Sequence, residues 1–517
     1  MIRPRLIYYN DAHHFHAKRL EPPASIHKLQ WPVDELLGTG VELLVFGLGY
    51  SDVYFHDSNI GRVVGQKKEV WENYIDWRIM RMVQDARRMG TDQLREVLAR
   101  GREMGLPVFP SLKLNDPSKP GDERCGRLKW EHGAEVCLRE PDDTLPGTEW
   151  CYDYTLESVR RDKLAMIKEV VADYRADGIE LDFTFRPRYF RKSEVEENIP
   201  LMTAFVAEVK ELVRGIGAEQ GREVPVMARV HASREQNLDR GLDVEAWLDE
   251  GSVDLVAGEL PGSFLDTGPR ASWLADAANR SGAAAYIRPP RRVYDERTAT
   301  PAIEMYRALG QTLRGQGFAG MYLGYLPWPL GETEYQVLRE AAYPEVHARK
   351  DKRYFLQPGD TASPGQVPAA LEEGKTVSVA VFVADDVDGA RTDGEMRNPV
   401  LTMRFSFYCI EDEIAYRFNG KVLPIEDFEI TDERALRIPS AESSPGSAPA
   451  GFSAHWFRYR LDVDDVVLGE NTLEIEVRRL EASAGFARSL NGVEIHMRYK
   501  DFVRPEGLAV SRVAPLP

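Results

Sequence analysis

Residues 177–186 read Asp-Gly-Ile-Glu-Leu-Asp-Phe-Thr-Phe-Arg, DGIELDFTFR. Side chains alternate across a strand, so Ile179, Leu181, Phe183 and Phe185 share an apolar face, while Glu180, Asp182, Thr184 and Arg186 share a polar one. A strand buried on both sides tolerates such a polar face only where its charges are paired or put to use. In a barrel of parallel strands, the apolar face packs on surrounding helices and the other points into the barrel or its mouth. The fold therefore turns on what flanks this stretch.

Outward from it, short apolar runs alternate with amphipathic segments from residue 5 to about 345. The runs are Leu6–Asn10, Glu42–Gly47, Pro107–Leu112, Gly178–Phe185, Val224–His231, Val253–Leu260, Ala284–Arg288 and Gly320–Tyr325. Between them, patterns such as Leu164, Ile167, Val171 and Tyr174 recur at helical spacing. Eight strands alternating with helices predict an α/β fold closed as a (β/α)8 TIM barrel. The rival doubly wound sheet would carry a glycine-rich loop after its first strand, and here that position reads NDAHHFH. Long connections at 51–90 and 114–155 follow strand C-termini, where barrels build their sites.

Residues 357–375, rich in Pro, Gly and Ala, read as a linker. Beyond them the period becomes two: Val377, Val379, Val381 and Val383; Leu401, Met403, Phe405 and Phe407; Leu473, Ile475 and Val477; Val493, Ile495, Met497 and Tyr499. Turn signals at Asn419-Gly420, Gly469-Glu470-Asn471 and Asn491-Gly492 complete an antiparallel β-sandwich. The expected layout is a catalytic barrel at 1–356, the linker, and an accessory sandwich at 376–517. A loop is expected at 440–451, and Tyr408, Trp456 and Tyr459 are expected to be exposed aromatics.

The length of 517 residues suits roughly two to four domains. A net charge of -17 disfavours wrapping nucleic acid. The longest apolar run, Val41–Leu48, is too short to span a membrane. No apolar export signal opens the chain, which suggests the cytoplasm, or a secreted or periplasmic site if a signal has been removed. Four cysteines form no disulfide framework, and Cys125, Cys137 and Cys151 read as free thiols with no close C-x-x-C pair. None of these patterns encodes subunit number.

DGIELDF resembles the fourth-strand motif of bacterial family-10-like glycosyl hydrolase proteins and, more distantly, of family 18 chitinases. The chitinase pattern puts its proton donor where this chain has Thr184, so that activity is not implied. In the α-galactosidase-like barrels, an Asp ending strand four is the nucleophile and an acid ending strand six its partner. The resemblance implies Asp182 as nucleophile or electrostatic stabiliser, and Glu259 in VDLVAGELPG as general acid/base. Glycoside hydrolysis needs two such carboxyl groups flanking one bond. Glu259 could equally be a rim salt bridge with a neighbouring arginine, and Glu180, deeper on its strand, could pair with arginine in a buried layer.

Basic residues gather at the same strand ends: Arg186, Arg188, Arg191, Arg229, Arg234, Arg288, Arg291 and Arg292, with His231. Guanidinium groups bind carboxylate or sulfate bidentately, so an anionic oligo- or polysaccharide is the expected partner. Each arginine could instead neutralise a carboxylate of the protein. Tyr322, Tyr325 and Trp328 follow strand eight and offer stacking surfaces, or core packing.

After strand one come Asn10, Asp11, His13, His14 and His16; sugar hydroxyls are expected to be hydrogen-bonded from this group, with Asp11, His13 and His14 as the candidates, or His13 assists proton transfer. His56 and Asp57 are similar candidates. His14-Phe15-His16 matches the H-x-H of amidohydrolase-type barrels. Strand six supplies no His and strand eight no acid, so neither a metal nor a cofactor is expected. The two rival functions are a non-catalytic carbohydrate-binding barrel and a metal-dependent hydrolase or lyase.

Overall fold

The computed structural model describes residues 2–66, 71–142, 145–262, 264–293, 300–358, 365–432 and 455–500. Eight parallel strands close into a barrel: β1 Leu6–Asn10, β2 Leu43–Gly47, β3 Val108–Lys113, β4 Ile179–Asp182, β5 Val226–His231, β6 Leu255–Glu259, β7 Ala284–Arg288 and β8 Gly320–Gly324. β1 pairs with both β2 and β8, which closes the ring. Ile179, Leu181 and Phe183 are wholly buried in the core between strands and helices. A second cluster fills the barrel itself, with Leu43, Phe109, Met227, Leu255 and Tyr286 among its members. Interior positions thus change from apolar toward polar at the C-terminal ends of the strands.

β4 is shorter than the alternation predicts, ending at Asp182. There the carboxylate turns the chain: Asp182 Oδ1 accepts from Thr184 N at 2.9 Å, Thr184 Oγ1 at 2.8 Å and Phe185 N at 3.2 Å. Phe185 leaves the apolar face for the mouth, and Arg186 adopts a left-handed φ of 49°. A short polar side chain competing for backbone N–H groups ends strands this way.

The long connections are held by buried charge. Asp52 accepts from Tyr54 (2.7 Å), from Tyr152 on the other long connection (2.5 Å) and from Lys163 (2.7 Å). His56 and Asp57 act here rather than at a site: His56 lies 3.3 Å from Glu169, and Asp57 pairs with Arg87 at 3.0 Å. Cys125, Cys137 and Cys151 are buried free thiols.

The C-terminal unit is a sandwich of two antiparallel sheets. Its strands are β9 Lys352–Leu356, β10 Ala369–Ala370, β11 Thr376–Val383, β12 Met396–Phe405, β13 Glu413–Phe418, β14 Lys421–Leu423, β15 Glu429–Asp432, β16 His455–Arg460, β17 Gly469–Arg479 and β18 Ser489–Tyr499. One sheet runs β9-β18-β12-β16-β15 with β10 also on β18; the other runs β11-β17-β13-β14.

Several sequence expectations change. β9, assigned to the barrel domain, is a sandwich strand by its pairing with Val493–Met497. The described part of the linker is mostly exposed, but it contributes β10, and Val367 and Leu371 are buried in the sandwich core. β9 also joins the two units: Thr267 Oγ1 accepts from Phe355 N at 2.9 Å, and Arg307 donates to Asp351 O at 3.2 Å. Asn419-Gly420 does form a hairpin turn, with φ of 48° and 81°. Gly469–Asn471 instead begins β17, and Asn491-Gly492 lies inside β18. Gly492 is glycine for room, because an added Cβ would sit 2.4 Å from the Arg404 guanidinium. Trp456 and Tyr459 are buried and Tyr408 is half-buried, against the expectation of exposed aromatics, whereas Phe407 is exposed beyond the end of β12. The 440–451 loop lies outside the described residues. Among the described residues, no helix is long and apolar enough to cross a membrane.

Candidate active site

At the C-terminal end of the barrel, a cavity of about 440 Å³ is lined by Tyr9, Asp11, His13, His14, Tyr50, Lys113, Arg124, Asp182, Phe185, Arg229, Glu259, Arg288 and Tyr325. Strand register sets the depth of its charges. Lys113, Asp182 and Arg229 lie side by side on β3, β4 and β5, while His231, Glu259 and Arg288 form the next row on β5, β6 and β7. That row is two residues, or about 6–7 Å, further toward solvent.

In the lower row, Arg229 binds Asp182 and approaches Glu180 Oε1 at 3.5 Å. Its guanidinium lies 4.5 Å over the Tyr9 ring. Glu180 accepts from Ser111 and Tyr322, each at 2.7 Å, and is fully buried beneath the cavity. Burial raises its pKa, and the opposing pull of Arg229 does not cancel that. Glu180 is therefore part of the buried layer and cannot touch a ligand as expected. Both oxygens of Asp182 are engaged, one by the turn and one by Arg229.

In the upper row, Glu259 pairs with Arg288. Its side chain is 33% exposed, which makes it more accessible than Asp182 at 2%. Burial pushes its carboxyl up, but Arg288 and Arg229 together outweigh this and hold it below the ordinary carboxylate range. His231 belongs to this row but does not line the cavity as expected; burial and Arg240 lower its pKa to about 4.

A third group closes the wall between β8 and β1. Asp11 accepts from Tyr325 OH at 2.8 Å, lies 3.3 Å from His14 Nδ1, and is 3.6 Å from Lys113 Nζ. Burial opposes ionisation, yet Lys113, His14 and Tyr325 hold Asp11 well below the usual range. Burial also lowers the pKa of His13 to about 4. Tyr325 reaches Asp11 from a left-handed φ of 55°, a backbone state that non-glycine residues rarely adopt.

Potential ligand atoms of Asp11, His13 and His14 lie within 4.8 Å of one another. The Lys113 ammonium, itself donating to Tyr50 O at 2.6 Å, already supplies positive charge beside Asp11 and opposes a divalent ion there. The H-x-H pair does not converge, because His16 is buried away from the cavity.

The remaining expected contacts lie elsewhere. Arg188 is engaged by Asp142, and Arg186 donates to Pro146 O at 3.3 Å; neither lines the cavity. Trp328 lies outside it under Arg19, whose guanidinium is 5.4 Å from the ring. Sequence reading missed Tyr9, Tyr50, Lys113 and Arg124. Lys113 and Tyr9 were detectable by parity, since both occupy inward positions near the ends of their strands. Tyr50 and Arg124 arrive on loops, where no periodicity marks them.

No family profile matches the chain, and no curated protein matches it. Solved structures do. A Paenibacillus sp. cycloisomaltooligosaccharide glucanotransferase complexed with cycloisomaltoheptaose is 11% identical over 95% of this chain and 57% of its own, with a TM-score of 0.36. Alpha-L-fucosidase isoenzyme 2 from Paenibacillus thiaminolyticus is 15% identical over 67% and 50%, with a TM-score of 0.41. A noncanonic maltogenic alpha-amylase from Thermotoga neapolitana is 11% identical over 91% and 99%, with a TM-score of 0.38. The chain spans about half the length of the first two. The likeness is too remote to carry function.

Proposed function

We propose that the barrel hydrolyses O-glycosidic bonds, as the family-10-like motif implies, and that its substrate is an acidic saccharide, as the arginines at the strand ends suggest. The observation that supports this most is that carboxylates from two non-adjacent strands, Asp182 and Glu259, line one cavity walled by tyrosines. In this reading, Glu259 is the reacting carboxylate, with an accessible side chain over the ligand space. Asp182, fixed by Arg229 and its own turn, stabilises positive charge developing on the sugar ring. Asp11, His13, His14 and Tyr325 hold sugar hydroxyls. Tyr9, Tyr50 and Phe185 supply ring surfaces.

The test is a panel of neutral and uronate aryl glycosides assayed with the native chain, Glu259→Gln and Asp182→Asn. Cleavage by the native chain, abolished in both variants, is the expected result. Near-full activity in Asp182→Asn defeats the carboxylate assignment.

One observation favours a second reading. Each carboxylate of the cavity already has a cationic partner, which suits a barrel that binds glycans without cleaving them. A glycan bound by the native chain and recovered intact after prolonged incubation is the result that selects it.

A further inference from the structure

The cations lining the main cavity all have acidic partners. Lys113 faces Asp11, Arg229 faces Asp182, Arg288 faces Glu259, and Arg124 donates to Asp76 at 2.8 Å. An anionic group on a substrate has to compete for any of them. Immediately outside, the situation reverses. β7 ends at Arg288 and is followed by Pro289, Pro290, Arg291 and Arg292. Arg291 and Arg292 are both exposed, and neither pairs with a carboxylate among the described residues. In a chain of net charge -17, two adjacent arginines with no carboxylate partner among the described residues offer a ligand a local positive charge beside the proposed site.

Their backbone is held firmly. Two prolines fix its course. Leu265 N donates to Arg292 O at 2.8 Å, with a parallel bridge between Phe264 and Arg292. The Arg291 guanidinium lies 4.6 Å over the Tyr325 ring, and Arg288 approaches the same ring at 5.7 Å. Tyr325 therefore stands between the inner cavity and the outer arginines. A cleft of about 250 Å³ joins Glu259 and Arg288 to Arg291 and Arg292. On the other side of Tyr325, Arg291 and Arg292 also line a second cleft with Glu334, whose carboxylate accepts from Gly331 N at 2.9 Å.

We propose that Arg291 and Arg292 form an oxyanion subsite that binds the carboxylate or sulfate of the sugar unit next to the one held at Glu259. This rests on the saccharide reading above and adds to it the location of the recognised charge. Guanidinium forks match both oxyanions bidentately, and the Glu259–Arg288 pair leaves the outer cleft with an excess of positive charge.

The experiment is calorimetric titration of the full chain and of Arg291→Ala/Arg292→Ala. The probes are trigalacturonate, its methyl ester and 6-O-sulfated cellotriose, and melting curves check that the variant is folded. The native chain is expected to bind at least one acidic probe about tenfold more tightly than the neutral ester, and the double variant to lose that preference. The two acidic arms distinguish a carboxylate site from a sulfate site. Arg291→Lys/Arg292→Lys should recover part of the preference, because charge remains while the fork is lost. Equal affinity for acidic and neutral probes, no binding of either acid, or an unchanged preference in the double variant overturns the subsite. A preserved charge preference without hydrolysis of any glycoside instead overturns the hydrolase reading and leaves the subsite standing.

Discussion

Tyr325 donates its hydroxyl to Asp11 at 2.8 Å, joining residues 314 positions apart in the chain. The bond ties the end of β8 to the end of β1, where the barrel closes. Tyr325→Phe keeps the ring under Arg288 and Arg291 but leaves a buried carboxylate short of one donor. The expected loss is about 1–2 kcal/mol of stability, read by urea unfolding. A variant as stable as the native chain shows that this closure bond contributes nothing.

Asp182 and Arg229 form the pair on which the lower row depends. Asp182→Asn keeps an oxygen for the turn but removes the charge facing a buried guanidinium, so lost turnover should come with a loss of about 3 kcal/mol. Arg229→Met should be worse, since it strands two buried carboxylates, Asp182 and Glu180. Equal melting temperatures for Arg229→Met and the native chain refute the buried-layer account.

Arg288 is the main counter-charge that favours ionised Glu259, with Arg229 beside it. If ionised Glu259 serves the reaction, activity rises as pH climbs through its pKa, and the pairing with Arg288 keeps that rise at low pH. Arg288→Gln removes the larger attraction and leaves burial opposed chiefly by Arg229. The acidic limb of kcat/KM should then move to higher pH by about one unit or more. An unmoved limb assigns the ionisation to a different group.

The barrel was legible in the sequence because each strand carries an apolar face and a helix follows. Leu6–Asn10 and Ala284–Arg288 have the bounds that the pattern gives. Alternation failed where a side chain overrode it. Asp182 captured the backbone and turned Phe185 into the cavity, and Asn491-Gly492, a turn by composition, is strand because it pairs in the ladder with β12, Gly492 opposite Arg404. The two carboxylates were legible from their positions at strand ends. The partners of the arginines were not, because register between β4, β5, β6 and β7 is set by packing around the whole ring. Asp142, which engages Arg188, comes from a loop with no pattern at all.

Buried histidines make the fold acid-sensitive. Burial lowers the pKa of His16 to about 4, and of His347 to about 3. Unfolded histidine titrates near about 6.5, so between that pH and the folded value the unfolded chain binds more protons. Stability from His16 is fully present above about pH 6.5 and declines as pH falls toward 4, by at most about 3 kcal/mol. Glu180, whose pKa is raised by burial, acts with the opposite sign, since its folded form takes up a proton first. The contribution of His16 is isolated by comparing urea midpoints at pH 7.5 and 5.0 for the native chain and His16→Gln. The native midpoint should drop on acidification and the variant's should drop less. Parallel losses in the two proteins show that His16 is not part of the acid response.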